Sequence, residues 1–250
     1  MTGWVETFGL LYVANVVTWS IVSGLVWGLT RVFRDGAERQ RVERELPPGA
    51  QSKEALVYTL TRSLVGLTVV QTVIFSLVPS TASGSATVGA LALQVLLAML
   101  VFDFAFYASH RLLHQPWLWA LHDKHHTYRI VDLWVRNSEH VGQVFVVALF
   151  ASPVSLILTD DVAKVVYFLF STTWNVLQHC GHEVFPRWRW LSRLVVTPTH
   201  HSMHHTERDC NFGYFFPFWD DLLGTTHPAY RERFLRGREA TEMAAGMPAE

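Results

Sequence analysis

Apolar positions run in long uninterrupted blocks, and the polar positions collect between them. No charged residue occurs from Thr7 to Thr30, which is more than the ~20 residues a helix needs to cross a bilayer core. Ser63 to Phe102 again lacks any charge or histidine and is too long for one span. The turn signal Pro79-Ser-Thr-Ala-Ser-Gly84 divides it, predicting spans over roughly 57–78 and 86–108. Between these blocks, Arg31 to Glu54 carries Arg31, Arg34, Arg39, Arg41, Arg44 and Lys53, broken by Pro47-Pro48-Gly49. The positive-inside rule makes that loop cytoplasmic. Val141–Thr159 and Val165–Leu177 are shorter apolar runs, read as two spans or as a re-entrant hairpin. Beyond them, Pro186, Arg187, Trp188, Arg189, Trp190 and Arg193 predict a helix in the headgroup region. From Tyr230 the chain turns charged, then small, and is expected to fray.

The pattern predicts an all-α integral membrane protein. About four to five transmembrane or re-entrant helices carry a histidine-rich metal-binding cap on the cytoplasmic side. Composition agrees: half of the residues are hydrophobic and 16% are charged, against about a quarter in soluble domains. Net charge is -1, with no basic stripe, so no nucleic-acid partner is expected. The cysteines, Cys180 and Cys210, form no CxxC and are expected as free thiols. The start, Met-Thr-Gly-Trp-Val-Glu, lacks the basic region of a cleaved signal peptide, so the first run reads as a retained span.

Eleven of the thirteen histidines fall in four clusters: His110/His114, His122/His125/His126, His179/His182, and His200/His201/His204/His205. The span count puts all four on one face. Spacings of three and four residues place imidazoles on one side of a helix, where two ring nitrogens can reach one ion at about 2 Å. The chain lacks HExxH and ExxH, which removes the zinc-protease and soluble di-iron bundle patterns. Imidazole accommodates iron, zinc, copper or nickel. Asp103, inside the third span, is a functional candidate by its position and is expected to orient a ligand imidazole; Asn211 is a second orienting candidate.

The motifs HRLLH, HDKHH and HHSMHH, in this order among membrane spans, resemble the fatty acid hydroxylase / sterol desaturase superfamily. Flanking residues agree: Asp103 and Tyr107, Thr197-Pro198, Asn211-Phe-Gly213, Trp219-Asp220 and Gly224-Thr225. The resemblance covers roughly residues 98–226. It divides the chain into N-terminal helices with a cytoplasmic loop (1–97), a histidine-box catalytic domain (98–226) and a flexible cytoplasmic tail (227–250). It implies two iron ions held by His110, His114, His122, His125, His126, His201, His204 and His205, with His179 and His182 as further ligands. Asp103, Tyr107 and Asn211 are the candidate catalytic residues. His200 is expected beside the ligands rather than among them, and His227 on the surface. His140 stands where many members have His-Pro and an acid, but here Gln143 follows.

The resemblance further implies an O2-dependent lipid hydroxylase or desaturase, with hydroxylation preferred. The expected substrate is a fatty acyl chain, sterol or related lipid arriving through the bilayer. No GxGxxG, flavin motif or CxxC cluster occurs, so electrons are expected from a ferredoxin or small cytochrome with its reductase. The expected location is a bacterial inner membrane. Competing readings are a zinc-dependent membrane hydrolase, a non-catalytic metal-binding membrane protein, and a haem-binding cytochrome. The last would favour single histidines within spans over clusters at span ends.

Overall fold

The computed structural model describes residues 3–32, 42, 52–77, 87–127 and 138–237, and no strand occurs among them. Most of the expected loop over 31–54 and the turn at 79–85 lie outside the described residues. The chain is an all-α membrane protein. Three helical stretches are long and apolar enough to span: Trp4–Leu29, Leu56–Val73 and Val88–Leu113.

The first helix, α1 (Trp4–Val32), buries Asn15, Trp19, Ser23 and Val26 at helical spacing. The opposite side exposes Leu10, Val13, Val17, Ile21 and Leu25, as suits lipid. Asn15 Nδ2 donates to Thr68 Oγ1 (3.1 Å) and Gln71 Oε1 (2.7 Å). Both acceptors lie on α3 (Leu64–Leu77), which follows α2 (Ser52–Tyr58) and a π-helical turn, Thr59–Ser63. An interhelical amide of this kind holds spans together where lipid offers no hydrophobic drive. The π turn is useful locally: the Leu60 carbonyl accepts from Tyr12 Oη. Ser63 Oγ bonds the Glu139 backbone, fastening the span to the entry of the histidine cap.

The central helix is α4 (Val88–Leu113), capped by Thr87, whose side chain accepts from Ala90 N. Leu93, Leu96, Leu97, Leu100 and Phe104 are exposed, while Asp103, Tyr107 and His110 are buried. A short 3-10 turn, Trp119–Leu121, leads to α5 (Asp123–His126). Next come α6 (Val141–Ala151), α7 (Val154–Ile157) and α8 (Asp161–Gln178). Gln94 Oε1 on α4 accepts from the Thr159 and Asp160 amides (3.1 and 3.2 Å), so α4 holds the start of α8.

At 11 residues, α6 reaches about 16 Å, roughly half a bilayer core. It packs on α4, as α7 and α8 also do.

Two local expectations fail. The Pro186–Arg193 stretch is no interfacial helix: only Leu191–Leu194, here α9, makes one turn. Trp188 and Trp190 instead stack at 5.5 Å and are both exposed. The tail does not fray from Tyr230. Tyr230–Arg236 is a helix, whose Tyr230 and Phe234 are buried against Met203. Aromatic residues four apart on one helical face outweigh the charges between them. Residues 238–250 lie outside the described residues.

Candidate metal centre

The third box lies on α10 (Pro198–Glu207). Thr197 caps it, its side chain accepting from His200 N, and Pro198 starts it. Glu183 adds a carboxylate at the same end: its Oε2 accepts from Thr199 N (3.1 Å) and Thr199 Oγ1 (2.6 Å). A negative charge there suits the helix dipole, although burial raises the Glu183 carboxyl above its ordinary value despite the Thr199 and Phe185 bonds.

Nine imidazoles meet in two groups. His110, His114, His122, His126 and His204 form one, and His125, His179, His201 and His205 the other. Each residue offers one donor atom, and within a group these atoms lie within 4.8 Å of one another. The two HxxHH boxes share themselves out between the groups. His122 and His126, four apart, serve the five-membered group, while His125 crosses to the four-membered one. His201 and His205 serve the four-membered group, while His204 crosses back. Adjacent residues point about 100° apart on a helix, so HxxHH reaches two centres at once. His125 and His205 pack at 4.5 Å, and His126 and His205 stack at 4.7 Å, where the groups adjoin.

The outer nitrogens fix the tautomers. His110 Nδ1 donates to the Phe212 carbonyl (3.0 Å), His204 Nδ1 to Cys210 (2.7 Å) and His179 Nδ1 to Asn175 (2.8 Å). His122 Nδ1 donates to Gln143 Oε1 at 2.7 Å. Each of these rings then turns a bare Nε2 inward. His110 and His122 Nε2 stand 3.1 Å apart, His122 and His126 3.0 Å, His126 and His204 3.1 Å. In the other group His179–His201 is 2.9 Å and His201–His205 is 3.0 Å. Two bare acceptors, such as those of His110 and His122, repel at this range. A cation between them would offset that repulsion, each nitrogen donating to it at ~2 Å. His114 Nε2 is likewise buried without a partner. The donor set fits a pair of metal ions.

Burial, then the neighbouring imidazoles, holds His125, His201 and His204 well below the ordinary histidine value. His122 is pushed down to about 3 by burial and His110, with Gln143 acting against the shift. Neutral rings are what metal binding requires.

Sequence reading did not find Gln143. Its signal was available: it is the sole long polar side chain in the apolar run of α6, and it is buried. A side chain that bonds the outer nitrogen of a ligand imidazole typically contributes 10–100-fold in metal affinity. Gln143→Leu is therefore expected to weaken metal binding by about that factor, with Gln143→Glu restoring it. Metal titration of the purified protein measures this. Unchanged affinity in the Leu variant would mean that His122 needs no partner.

Other expected site residues sit elsewhere. His182 joins neither group: α8 ends at Gln178, Gly181 turns at φ +73°, and His182 Nδ1 meets the Cys180 carbonyl. Asp103 orients no imidazole. Its Oδ1 accepts from the amides of Phe215 (2.6 Å) and Phe216 (3.1 Å), because the chain after α10 folds back onto α4. Asn211 acts on backbone too, donating to the His200 carbonyl (3.0 Å) and accepting from His227 N (2.8 Å). Tyr107 Oη bonds Thr225 Oγ1 at 3.0 Å. All three position the loop that feeds carbonyls to His110 and His204. His200 lies 3.3 Å from Asp220 Oδ2, beside the ligands. His140 caps α6 by accepting from Gly142 N. His227 pairs with Glu207 at the surface. Trp119, under the Arg208 guanidinium at 4.9 Å, packs on His114, His122 and His126 and closes the five-membered group from outside.

Known proteins are similar to this chain in sequence. A family model described as fatty acid hydroxylase matches residues 95–225. Very-long-chain aldehyde decarbonylase GL1-6 of Oryza sativa subsp. indica is 32% identical over 157 residues, 58% of this chain and 25% of its own length. Protein CER1-like 2 of Arabidopsis thaliana is 26% identical over 243 residues, 86% of this chain and 37% of its own. Very-long-chain aldehyde decarbonylase CER1 of Arabidopsis thaliana is 27% identical over 159 residues, 56% of this chain and 25% of its own. The chain thus spans between about a quarter and two-fifths of these relatives' length. No solved structure matches it.

Proposed function

This chain belongs to the fatty acid hydroxylase family, and from that premise we propose that it is a membrane-bound, O2-dependent di-iron oxidoreductase. Its target is an unactivated C–H position of a lipid, with hydroxylation favoured over desaturation. The observation that supports this most is the pair of buried, all-imidazole groups at the end of a membrane-spanning helix, opening on one cavity. His110, His114, His122, His126 and His204 would hold one iron, and His125, His179, His201 and His205 the other. The irons, when bound, would supply the redox chemistry that activates O2 and removes hydrogen from carbon.

The protein's own contribution is placement and exclusion of water. Carbonyls of Asn175, Cys210 and Phe212 and the Gln143 amide hold four rings by their Nδ1–H groups, so the inward nitrogens need no reorganisation. Phe106, Leu113, Val147 and Tyr214 line the cavity beside His110 and His179. It has room for little more than a water-sized molecule, so a chain must displace or part these side chains. Electrons are assigned to a separate ferredoxin or small cytochrome with its reductase.

The relatives' names favour a second substrate reading, a very-long-chain aldehyde that loses its carbonyl carbon. Both readings require O2 and iron in this proposal. Purified protein should carry two irons per chain and convert lipid extract only with O2 and an electron source, with label from 18O2 in the hydroxylated product. Turnover that continues under argon would sink the oxygenase reading and leave a zinc-type hydrolase.

A further inference from the structure

The two histidine groups open on one cavity, and its walls differ in chemistry. Phe106 and Leu113 from α4 and Val147 from α6 form an apolar side; Asn175 and Gln178 from α8 form a polar side. His110 and His122 of one group and His125, His179 and His201 of the other also line it. An atom held there sits against both groups.

Three amides line this cavity, and two are committed. Gln143 Oε1 accepts from His122, and Gln178 Nε2 donates to the Tyr214 carbonyl. The third, Asn175, keeps its side-chain Oδ1 buried and without a hydrogen-bond partner. Buried polar atoms are nearly always paired. An unpaired one on the polar side of a cavity whose other side is apolar marks where a ligand's donor belongs.

We propose that Asn175 is a positioning residue for the substrate, and that the substrate end it receives carries a hydroxyl. The ligand class is a long-chain primary alcohol or the hydrate of a long-chain aldehyde. This rests on the lipid-substrate reading above and narrows it. The hydroxyl donates to Asn175 Oδ1, which sets the terminal carbon between the histidine groups. The hydrocarbon lies along Phe106, Leu113 and Val147, and the same helices expose Phe104, Phe145 and Leu149 outward, continuing the apolar path towards lipid. A mid-chain methylene offers no donor and leaves Oδ1 unpaired. A site built to bond a hydroxyl discriminates strongly against the analogue that lacks it.

The test is binding without turnover. Purified protein in detergent, under argon and without reductant, is offered equal amounts of deuterated 1-hexadecanol and hexadecane. Chains that co-elute with the protein are counted by mass spectrometry. Wild type should retain the alcohol over the alkane by about tenfold or more. Asn175→Leu should lose that preference while holding the alkane at the wild-type level, and Asn175→Asp, which keeps an acceptor, should retain it. Val147→Trp should reduce both chains, which locates them in this cavity. Equal retention by wild type, or an undiminished preference in Asn175→Leu, overturns the role of Asn175 and leaves the oxygenase reading standing. Retention of neither chain overturns the lipid-substrate reading itself.

Discussion

His204→Ala is expected to abolish turnover and strip metal from the five-histidine group while leaving the protein in the membrane. His204 is fully buried, and its role is not local to its own helix. It leaves the box on α10 to join His110, His114, His122 and His126, with its Nε2 3.1 Å from that of His126. Its other nitrogen is committed to the Cys210 carbonyl at 2.7 Å. Alanine therefore removes a donor that no neighbouring side chain can replace. The loss in metal affinity should exceed the ~10–100-fold typical of an outer partner. His110→Ala should behave alike, since His110 holds the same group from α4. Neither change touches the lipid-facing side of a span, so membrane insertion is unaffected. His227→Ala is the control: it breaks a surface pair with Glu207 and the bond from Ala229 N to its Nδ1, belongs to neither histidine group, and should cost about 0.5–1.5 kcal/mol in stability with metal and turnover retained. Metal analysis and turnover on the membrane fraction decide the matter. Full metal and activity in His204→Ala would show that the boxes are not the ligands.

What sequence could and could not reveal follows from distance along the chain. The spans were legible because their signal is local: an apolar run of sufficient length needs no partner to be read. The boxes were legible for the same reason, since positions three and four apart share a helix side. How the boxes divide was not. That His125 leaves His126, and that His204 leaves His205, depends on how α5 and α10 meet across about 80 residues of chain. Asp103 illustrates the limit more sharply. Its burial in a span was readable, but its partners are the Phe215 and Phe216 amides, 112 and 113 residues away. The residue type announced a hydrogen-bond acceptor without saying whose donor it takes. His182 failed through a turn: Gly181 at positive φ carries it away from a group that His179, three residues earlier, has joined. Gln143 was passed over because it stood where an acid was sought, although an amide oxygen accepts from an imidazole N–H as a carboxylate does.

Asp220→Ala is expected to have the largest effect of any change outside the histidines. Asp220 is fully buried and accepts from Phe212 N (2.7 Å), Gly213 N (2.8 Å) and Thr225 Oγ1 (2.7 Å). Burial pushes its carboxyl up, but the His200 contact and the Thr225 and Phe212 bonds outweigh that and hold it below its ordinary value. Its contribution is therefore intact at neutral pH and is lost only in acid, as pH falls through the lowered value. The bonded loop is the one that presents the Phe212 carbonyl to His110 Nδ1. Gly213 leaves no slack in it: a Cβ there would lie 2.7 Å from the Phe216 carbonyl and 2.9 Å from Asp220 Oδ2. Alanine at 220 strands several buried donors together and should cost on the order of 3–5 kcal/mol, with metal lost from the five-histidine group as His110 loses its partner. Asp220→Asn keeps one oxygen acceptor and should lie between. Because Asp220 belongs to neither donor group, its effect is positional. The fall in unfolding temperature should therefore appear in chelator-treated protein as well as in metal-loaded protein. A variant that unfolds normally without metal and is weakened only when loaded would instead make Asp220 a participant in metal binding.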